Sequence, residues 1–420
     1  MEAMRLLPDD VAPFMPGGRL PCPVAHAVRV GERVHVGAAS AIRPDGSVAG
    51  LGDPAAQVDA AFDSIAQALS AAGGSLKDVV KLTTSIVDRA HRKPVYEAIS
   101  RRLDGVFPVS TGLVVGGLPL PELMVQVDAE AIVPMPGRSP VRRHRTFALK
   151  DWFGQDIAWQ GAMISTSDSE IFIRGQTGAT LDGRTMAGLG RQAADAGAQA
   201  DLALANLRTL LEEAGSSVED IGKITVYIPD RGYRNAVYPM IGKHLRGVHP
   251  VSTGLVVNGF ARPEVLFEID VQAFPKQGGR KHQRVRPYHS RNARYGSEQQ
   301  PLDCDFCMAV RAGDHVVLRG QTGMGLDEVL RGPGDAVAQA EQAMDNVAVL
   351  LGEAGASVHD IVRATVFVTD RAFLPGVCAA VTRRFGDAPP AFGAVIVKGL
   401  ASPELLMEVD ITAVAGAGGR

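Results

Sequence analysis

The chain has 420 residues and a formal net charge of −3, with 46% hydrophobic and 21% charged residues. This length allows two to four domains, and the near balance of charge gives no indication of nucleic-acid or membrane binding by the chain as a whole. No apolar run reaches the roughly 18 residues that a membrane span needs, the N-terminus lacks the pattern of a secretory signal, and four cysteines are too few for a disulfide framework. We therefore expect a cytoplasmic protein.

The first predicted element is a β-like run, AHAVRVGERVHVGAA, which begins at Ala25 and contains a Gly31-Glu32 pair suited to a hairpin turn. A helical stretch follows, and then a strand that ends at Asp88, whose side-chain oxygen can cap a second helix. Two further strands around a Gly-rich turn close the segment. The predicted element order is therefore β-β-α-β-α-β-β.

The same order recurs twice along the chain. The segment AGGSLKDVVKLTTSIVDRAH begins at Ala72, and similar segments begin at Ala214 and Ala354, which gives offsets of 142 and 140 residues (72 to 214 to 354). Further landmarks keep this register: Pro108, Pro250 and Pro390; Asp128, Asp270 and Asp410; Gln57, Gln199 and Gln339. We predict three tandem copies, at residues 18–136, 149–275 and 287–416. The Arg-rich connectors between them are interpreted as solvated, although either could bind an anion or nucleic acid.

The repeat also predicts how the copies pack. A sheet with helices on one face has to bury its other face, and two further copies in the same chain supply the partners. We expect an α+β fold in which three β-β-α-β-α-β-β units form a pseudo-threefold trimer. The sheets would lie inside around a central axis, the helices outside, and ligand sites in the clefts between neighbouring copies.

Several motifs of these copies resemble the RidA (YjgF) enamine/imine deaminase superfamily. They are the opening Pro23-Val24-Ala25-His26-Ala27, the Gly175-Gln176 and Gly320-Gln321 pairs after the second strand, the passage from Ala72 to Asp88, and the closing segment from Pro108 to Asp128. The resemblance implies a chorismate-mutase-like fold, active sites between copies, and a small-molecule substrate that is hydrolytically deaminated. A homo-oligomer of the fused chain is possible.

The departures from this resemblance concern the substrate clamp. The family's deaminases carry an Arg two residues after the closing-segment Pro, where its planar guanidinium pairs with the substrate carboxylate. None of the three copies has an Arg there, because the positions hold Ser110, Ser252 and Phe392. Two residues further, where the family often has Cys or Thr, the copies hold Gly112, Gly254 and either Ala394 or Gly393.

Two glutamates keep the family's acid/base position, Glu268 and Glu408, whereas copy 1 has Gln126 there and Gly37-Ala38 at the Gly-Gln position. The resemblance implies a catalytic role, and the alternative is an edge carboxylate on a solvated strand. Arg174 and Arg319 directly precede Gly-Gln and could replace the missing clamp, unless they are ordinary surface residues. Substrate-binding roles are also predicted for Gly175, Gln176, Gly320, Gln321, Ser110 and Ser252. We expect activity in the cleft of copies 2 and 3.

The remaining motifs predict neither a metal nor a cofactor. Cys304-x-x-Cys307 lacks a second ligand pair for zinc, and no nucleotide-binding fingerprint is present. The thrice-repeated Pro-Glu, at Glu122, Glu264 and Glu404, suggests a turn or a contact between copies. The favoured function is a RidA-type hydrolase that deaminates a small carboxylated enamine, imine or unsaturated metabolite, with no nucleic-acid or membrane partner. The alternatives are a repurposed, chorismatase-like enzyme and a non-enzymatic small-molecule-binding or scaffold protein.

Overall fold

A computed structural model gives the fold and describes residues 2–7, 14–15, 18–19, 22–152, 155–276, 279, 281–290, 294–295, 298–299 and 302–419. Parts of the second connector, including residues 291–293 and 296–297, lie outside the described residues. The prediction that the second connector is solvated falls partly on these residues, and to that extent it stays a prediction.

Each copy contributes two helices, a long one and a short one. The long helix of copy 1 begins after Asp53, whose carboxylate accepts hydrogen bonds from the amides of Ala55 and Ala56, and Pro54 occupies its first turn, where no amide donor is needed. The helices of the described residues are α1 (Pro54–Ala71), α2 (Arg92–Arg102), α3 (Ala193–Glu213), α4 (Arg234–His244), α5 (Ala336–Glu353) and α6 (Leu374–Thr382).

The strands form three seven-stranded sheets, one for each copy. The first has the order Met4–Leu6, Ala27–Val30, Arg33–Ala39, Val125–Ile132, Val79–Ile86, Val109–Val114, Gly259–Phe260. The second has the order Val251–Val256, Ile221–Ile228, Glu268–Ala273, Ile171–Ile173, Gln160–Thr166, Arg142–Ala148, with Gln176–Thr177 also on Glu268–Ala273. The third has the order Gln283–Val285, Ala309–Ala312, His315–Leu318, Met407–Val414, Ile361–Val368, Ala391–Ile396, with Gln321–Thr322 also on Met407–Val414.

Short two-stranded ribbons complete the description: Phe14–Met15 with Gly18–Arg19, Tyr288–His289 with Asp305–Phe306, and Arg294–Tyr295 with Glu298–Gln299. Within each main sheet the strand before the short helix and the strand after it are parallel, as in Val79–Ile86 and Val109–Val114. A parallel pair needs a crossover connection, and α2 supplies it. The predicted α+β fold of three repeated units is confirmed.

The three copies meet around a pseudo-threefold axis. Leu113, Leu255 and Val395, from equivalent positions of the three copies, share one buried apolar cluster. The aspartates repeated in the three copies form ion pairs between copies, each with a cation of the preceding copy. The pairs are Asp270 with Lys81, Asp410 with Lys223, and Asp128 with Arg363, the last at 3.2 Å.

The other repeated residues have local roles. Asp88 accepts a hydrogen bond from the amide of Ala90 at 2.8 Å, so it caps a 3₁₀ turn that leads directly into α2. Gln57 donates to the carbonyl of Glu122 at 2.9 Å and accepts from the amide of Met124 at 2.8 Å, and the other copies repeat this pattern. The Pro-Glu segment is therefore a turn fastened to the long helix of its own copy.

The first connector differs from the solvated segment that we expected, because it contains the strand Arg142–Ala148, which pairs with Gln160–Thr166. Arg143 donates to the carbonyl of Val79 in copy 1 at 3.0 Å, and Arg145 pairs with Glu213 in copy 2. The basic residues are therefore partly engaged in holding an edge strand against both copies, which a count of charges does not reveal.

Candidate active site

Two clefts between copies contain the same set of polar side chains. The first cleft, between copies 1 and 2, has a volume of about 60 Å³ and is lined by Arg92, Tyr96, Ser110, Arg174, Gly175 and Glu268, among others. The second cleft, between copies 2 and 3, has a volume of about 50 Å³ and presents Arg234, Tyr238, Ser252, Arg319, Gly320 and Glu408. In each cleft, one copy supplies the short helix that carries the tyrosine, α2 or α4, and the next copy supplies the glutamate.

The two glutamates are buried, so they are not edge carboxylates on a solvated strand. Glu268 is 6% exposed and Glu408 is 5% exposed. Burial raises the pKa of each carboxyl to about 8, against the opposing charge of Arg174 in the first cleft and of Arg319 in the second. At neutral pH both carboxyls therefore hold a proton that they can donate.

The glycine of each Gly-Gln pair makes room for this acid. A Cβ atom on Gly175 would collide with the Glu268 carboxyl and lie 2.9 Å from Thr111 Oγ1, and one on Gly320 would collide with Glu408. The Gly175 amide donates to the carbonyl of Ser110 in the neighbouring copy at 3.3 Å. The glycine thus lets the loop backbone, the acid and the strand of the neighbouring copy approach one another closely.

The glutamine of each pair has a different task from the glycine. Gln176 is 3% exposed and donates through Nε2 to the carbonyl of Arg174 at 2.7 Å, and Gln321 makes the same bond to Arg319. These bonds fix the loop that carries the arginine. Neither glutamine is among the residues that line the first and second clefts, and Gln321 instead lines an adjacent cavity with Arg319.

The two arginines before Gly-Gln are cleft residues, each packed on aromatic rings. The Arg174 guanidinium lies 5.1 Å from the ring centre of Phe147 and 4.9 Å from that of Trp152, and burial lowers its pKa. Arg319 lies 5.7 Å from the ring of Tyr288. Both guanidinium groups therefore lie against ring faces within their clefts and are not ordinary surface residues.

Further cleft residues, an arginine and a tyrosine in each cleft, were missed by the sequence interpretation. Arg92 and Tyr96 are four residues apart on α2, so they share one helix face, and the Arg92 guanidinium lies 5.3 Å from the Tyr96 ring centre. Arg234 and Tyr238 repeat the arrangement on α4 at 4.7 Å. The signal was present in the sequence as Arg-x-x-x-Tyr, kept in copies 1 and 2.

These tyrosines also explain the glycines that follow Ser110 and Ser252. A Cβ atom on Gly112 would collide with the Tyr96 hydroxyl, and one on Gly254 would lie 2.6 Å from the Tyr238 hydroxyl. The tyrosine hydroxyl therefore occupies the space that a Cys or Thr side chain would take at that position. Burial raises the pKa of Tyr96 and Tyr238, so both remain hydrogen-bond donors.

The corresponding positions between copies 3 and 1 lack this chemistry. Leu374 and Cys378 replace the arginine and tyrosine, Phe392 replaces the serine, and Gln126 replaces the acid. Strand pairing settles the ambiguity at 393–394, because Ala394 lies opposite Val366 as Gly112 lies opposite Thr84. Ala394 is the counterpart of Gly112.

Strand pairing also shifts the copy 1 counterpart of Gly-Gln by one residue. Ala39 lies opposite Val127, as Gln321 lies opposite Val409, so the counterpart is Ala38-Ala39, and Gly37 takes the place of the arginine. Copy 3 has the same irregularity before Gln321, so copies 1 and 3 align here without a gap. The conclusion that copy 1 lacks Gly-Gln is unchanged.

The distribution of these residues differs from our expectation of one equipped cleft. Copy 1 lacks the acid, yet it supplies Arg92, Tyr96 and Ser110 to the first cleft, whose acid comes from copy 2. Copy 1 thus lacks the glutamate side of a cleft but keeps the side that carries the arginine, tyrosine and serine. The first and second clefts are equally equipped.

The remaining titratable groups do not add a metal site. Within the ranges that the structure describes, no group of histidine, cysteine and carboxylate side chains could hold a metal ion. The Cys304 thiol donates to the carbonyl of Tyr238 at 2.9 Å and the Cys307 thiol to that of His249 at 3.0 Å, so both link copy 3 to copy 2. None of the described helices combines the length and apolarity that crossing a bilayer requires.

Comparison with known proteins agrees with this architecture. The family model described as Endoribonuclease L-PSP matches three times, over residues 22–133, 160–274 and 300–415. Protein DfrA of Myxococcus xanthus is 35% identical over 105 residues, which cover 25% of this chain and 79% of that protein. A RutC family protein of Pyrococcus abyssi is 28% identical over 110 residues, or 26% of this chain and 84% of its own.

One similar solved structure covers most of this chain, and another covers about the length of a single copy. A chorismatase crystal structure superposes on 80% of this chain and 93% of its own with a TM-score of 0.51, and at 15% sequence identity this shows a shared fold alone. Rv2704 of Mycobacterium tuberculosis, a member of the YjgF/YER057c/UK114 family, is 34% identical over 26% of this chain and 86% of its own, with a TM-score of 0.24.

Proposed function

The chain belongs to the Endoribonuclease L-PSP family, in three tandem RidA/YjgF-like copies, and we propose that its first and second clefts hydrolyse a small carboxylated enamine or imine. The products are a keto acid and ammonia. The observation that carries the proposal is the burial of one glutamate in each cleft, Glu268 or Glu408, which raises the pKa of its carboxyl to about 8. A proton donor works best when its pKa lies near the working pH.

The reaction proceeds by proton transfer and addition of water. In the first cleft Arg174 holds the substrate carboxylate, and Glu268 protonates the enamine carbon to give the iminium. Water from solvent then adds to the adjacent iminium carbon, which bears the nitrogen, and the ionised Glu268 takes a proton from the water to leave a carbinolamine, whose hydroxyl proton passes to the nitrogen. The amine leaves as ammonia when the carbinol oxygen forms the keto group, so that one water is consumed. The hydroxyl of Tyr96 donates to the developing oxygen.

A chorismatase-like reaction is the second candidate, and the same observation favours it. Cleavage of an enol ether conjugated to a carboxylate also starts with protonation of an sp² carbon, which a neutral carboxyl among guanidinium groups can perform. The whole-chain likeness to a chorismatase supplies a shared fold. The two reactions differ only in whether nitrogen or oxygen leaves, so substrate tests separate them.

The test supplies 2-iminobutanoate, generated by an amino-acid oxidase, and follows keto-acid release, with chorismate in a parallel assay. The parent chain should accelerate release from the imine. Glu268→Gln and Glu408→Gln should each lower the rate to about half if the two clefts contribute equally, and the double variant should lose about 10²- to 10⁴-fold, the usual contribution of a general acid–base.

Copy 1 supplies the structural control for these variants. Gln126 occupies the position of the glutamates and is 2% exposed, so glutamine fits there. An unchanged rate in the double variant would refute the assignment of the acid. A parent chain that accelerates only chorismate breakdown would favour the second candidate, and one that accelerates neither would favour a ligand-binding or scaffold role.

A further inference from the structure

Each acid of the two clefts has a second carboxyl beside it on the same strand. Glu268 and Asp270 are two residues apart in the strand Glu268–Ala273, so their side chains lie on one face of the sheet. Both residues are buried, at 6% and 9% exposure. Glu408 and Asp410 repeat the pair in copy 3. Two neighbouring carboxyls in a buried place do not both ionise at low cost, so their surroundings decide which one keeps its proton.

The preceding copy supplies two groups that favour the charged form of the aspartate. Lys81 forms an ion pair with Asp270 through Nζ and Oδ1, and the Thr111 hydroxyl donates to Oδ2 at 2.9 Å. A carboxylate with a cation and a hydroxyl donor is stabilised as the anion. The residues that make the same contacts beside the second cleft are Lys223, Thr253 and Asp410.

The glutamate has no comparable counter-ion. In the part of the chain that the structure describes, neither Glu268 nor Glu408 forms an ion pair. Burial raises the pKa of Glu268 most, and the charge of Asp270 raises it further, against the effect of nearby cations. The glutamate therefore keeps the proton that the aspartate gives up.

Other charged and titratable groups face each acid from the cleft and from the axis. Around Glu268 they are Arg92, Tyr96, Arg174 and Arg262 in the cleft, and Lys81, Tyr227 and Asp270 towards the axis. Around Glu408 they are Arg234, Tyr238, Tyr288 and Arg319 in the cleft, and Lys223 and Asp410 towards the axis. In each set the aspartate is the one carboxylate, so it is the anion that opposes ionisation of the acid.

The interface between copies 3 and 1 shows what accompanies the loss of the acid. Gln126 stands two residues before Asp128, so the second carboxyl of the pair is absent there. This aspartate pairs with Arg363 instead of a lysine, and the strand register puts Gly393 in the place of the threonine. Joining two copies therefore requires neither the lysine nor the threonine, and both are kept where the glutamate is kept.

We propose that Asp270, held as an anion by Lys81 and Thr111, is a positioning residue that keeps the proton on Glu268. The corresponding aspartate beside the second cleft has the same role. Lys81 and Asp270 line a cavity of about 100 Å³ at the axis and not the first cleft, so the aspartate acts on a substrate only through the glutamate. The inference rests on the proposed function in that this glutamate is its acid.

Infrared spectroscopy tests the protonation state without turnover, because only a protonated carboxyl gives the high-frequency C=O stretch. Glu408→Gln serves as the background, so that Glu268 is the cleft acid that titrates, and adding Glu268→Gln identifies its band. The midpoint should lie at about 8. Asp270→Asn should lower it by about 1–3 pH units, the usual effect of a nearby charge, because it removes an anion and leaves the charge of Lys81 acting on Glu268.

Two further variants control this result, with circular dichroism to verify folding. Asp128→Asn removes the aspartate of the interface that has no acid, so it should leave the midpoint unchanged. Lys81→Met combined with Asp270→Asn covers the case in which Asp270→Asn alone does not fold, since it leaves no unpaired buried charge. This double variant should still lower the midpoint, by about half a pH unit or more, because the charge of Asp270 outweighs the opposing charge of Lys81.

The proposal is overturned if Asp270→Asn leaves the midpoint unchanged, or if the double variant does so where the single one does not fold. It is also overturned if Asp128→Asn shifts the midpoint equally, since the effect would then be a general loosening of the assembly. A parent chain without a band of protonated Glu268 at neutral pH overturns it as well.

The outcome is distinguishable from that of the proposed function. A chain that hydrolyses 2-iminobutanoate but keeps its midpoint in Asp270→Asn retains the hydrolytic function and loses the role of Asp270. A chain whose midpoint falls in Asp270→Asn without any hydrolysis retains that role and loses the catalytic role of Glu268. Where both hold, the decline of kcat with rising pH should move to lower pH in Asp270→Asn together with the infrared midpoint, and should stay in place in Asp128→Asn.

Discussion

The buried glutamates predict that stability falls as pH rises, and Glu408→Gln tests this directly. The folded-state pKa of Glu408 is about 8, above the value of about 4.3 for a free glutamate, and each pH unit of that difference corresponds to about 1.4 kcal/mol. Between these two pKa values the folded chain retains a proton that the unfolded chain releases. The free energy of unfolding of the parent therefore decreases with pH across this window.

Glutamine has no proton to lose, so the variant should gain stability relative to the parent as pH rises. The gain should be small below about pH 4.5 and should approach about 5 kcal/mol above pH 8, as an upper bound from the same linkage. Urea denaturation at pH 5 and pH 9, followed by circular dichroism, measures the difference. Gln126→Glu is the reciprocal control, because it introduces a carboxyl at a buried site and should add a penalty at high pH.

An identical difference between parent and Glu408→Gln at the two pH values would show that the carboxyl is ionised in the folded chain, and the assignment of a protonated general acid would fail with it. If Glu408→Gln instead gains more free energy of unfolding at pH 9 than at pH 5 and loses activity, Glu408 is a residue that is kept for function at a cost in stability.

Two further variants test a contact of the second cleft and an ion pair between copies 2 and 3. Arg319→Ala should raise the dissociation constant of 2-oxobutanoate at the second cleft at least tenfold by calorimetry, since it removes the proposed carboxylate partner, and an unchanged constant would exclude that role. Asp410→Asn removes the counter-charge of Lys223, whose side chain is 5% exposed. The variant should lower the free energy of unfolding, measured by urea denaturation, by about 3–5 kcal/mol. A loss below about 1 kcal/mol would mean that water reaches the ammonium group of Lys223.

The fold was predictable because internal repetition makes each landmark visible three times. The aspartates at 128, 270 and 410 kept one register in sequence, and the structure shows each paired with a cation of the neighbouring copy. The position of the acid was predictable for the same reason. Its burial was not, because a polar residue in an alternating strand gives no indication of what packs above it.

The opposite wall of each cleft was harder to predict, because it comes from a different copy. Arg92 and Tyr96 lie on a helix more than 150 residues before Glu268 in the chain, and only the packing of copies 1 and 2 brings them into the same cavity. The counterpart of Gly-Gln in copy 1 could have been found in the sequence, since an ungapped alignment of copies 1 and 3 already pairs Ala38-Ala39 with Gly320-Gln321.

Fusion of the copies allows equivalent positions to carry different side chains, and the axis shows what this achieves. Arg33, Glu170 and His315 occupy equivalent positions of the three copies, since Arg33 lies opposite Ile132 as His315 lies opposite Val414. Arg33 contacts Glu170 at 2.5 Å and His315 at 2.8 Å. A homotrimer with arginine or glutamate here would place three like charges at this point, and buried charges without a partner are costly.

The clefts, like the axis, carry different side chains at equivalent positions of the three copies. In a homotrimer, any substitution that removes the acid from one cleft removes it from all three, so Gln126 and Phe392 could appear only after fusion if function was to be kept. Arg262 is likewise confined to one copy, with Ser402 and Leu120 at the equivalent positions. The same absence of symmetry that lets unlike side chains pair at the axis therefore also lets the two clefts carry different side chains at one edge.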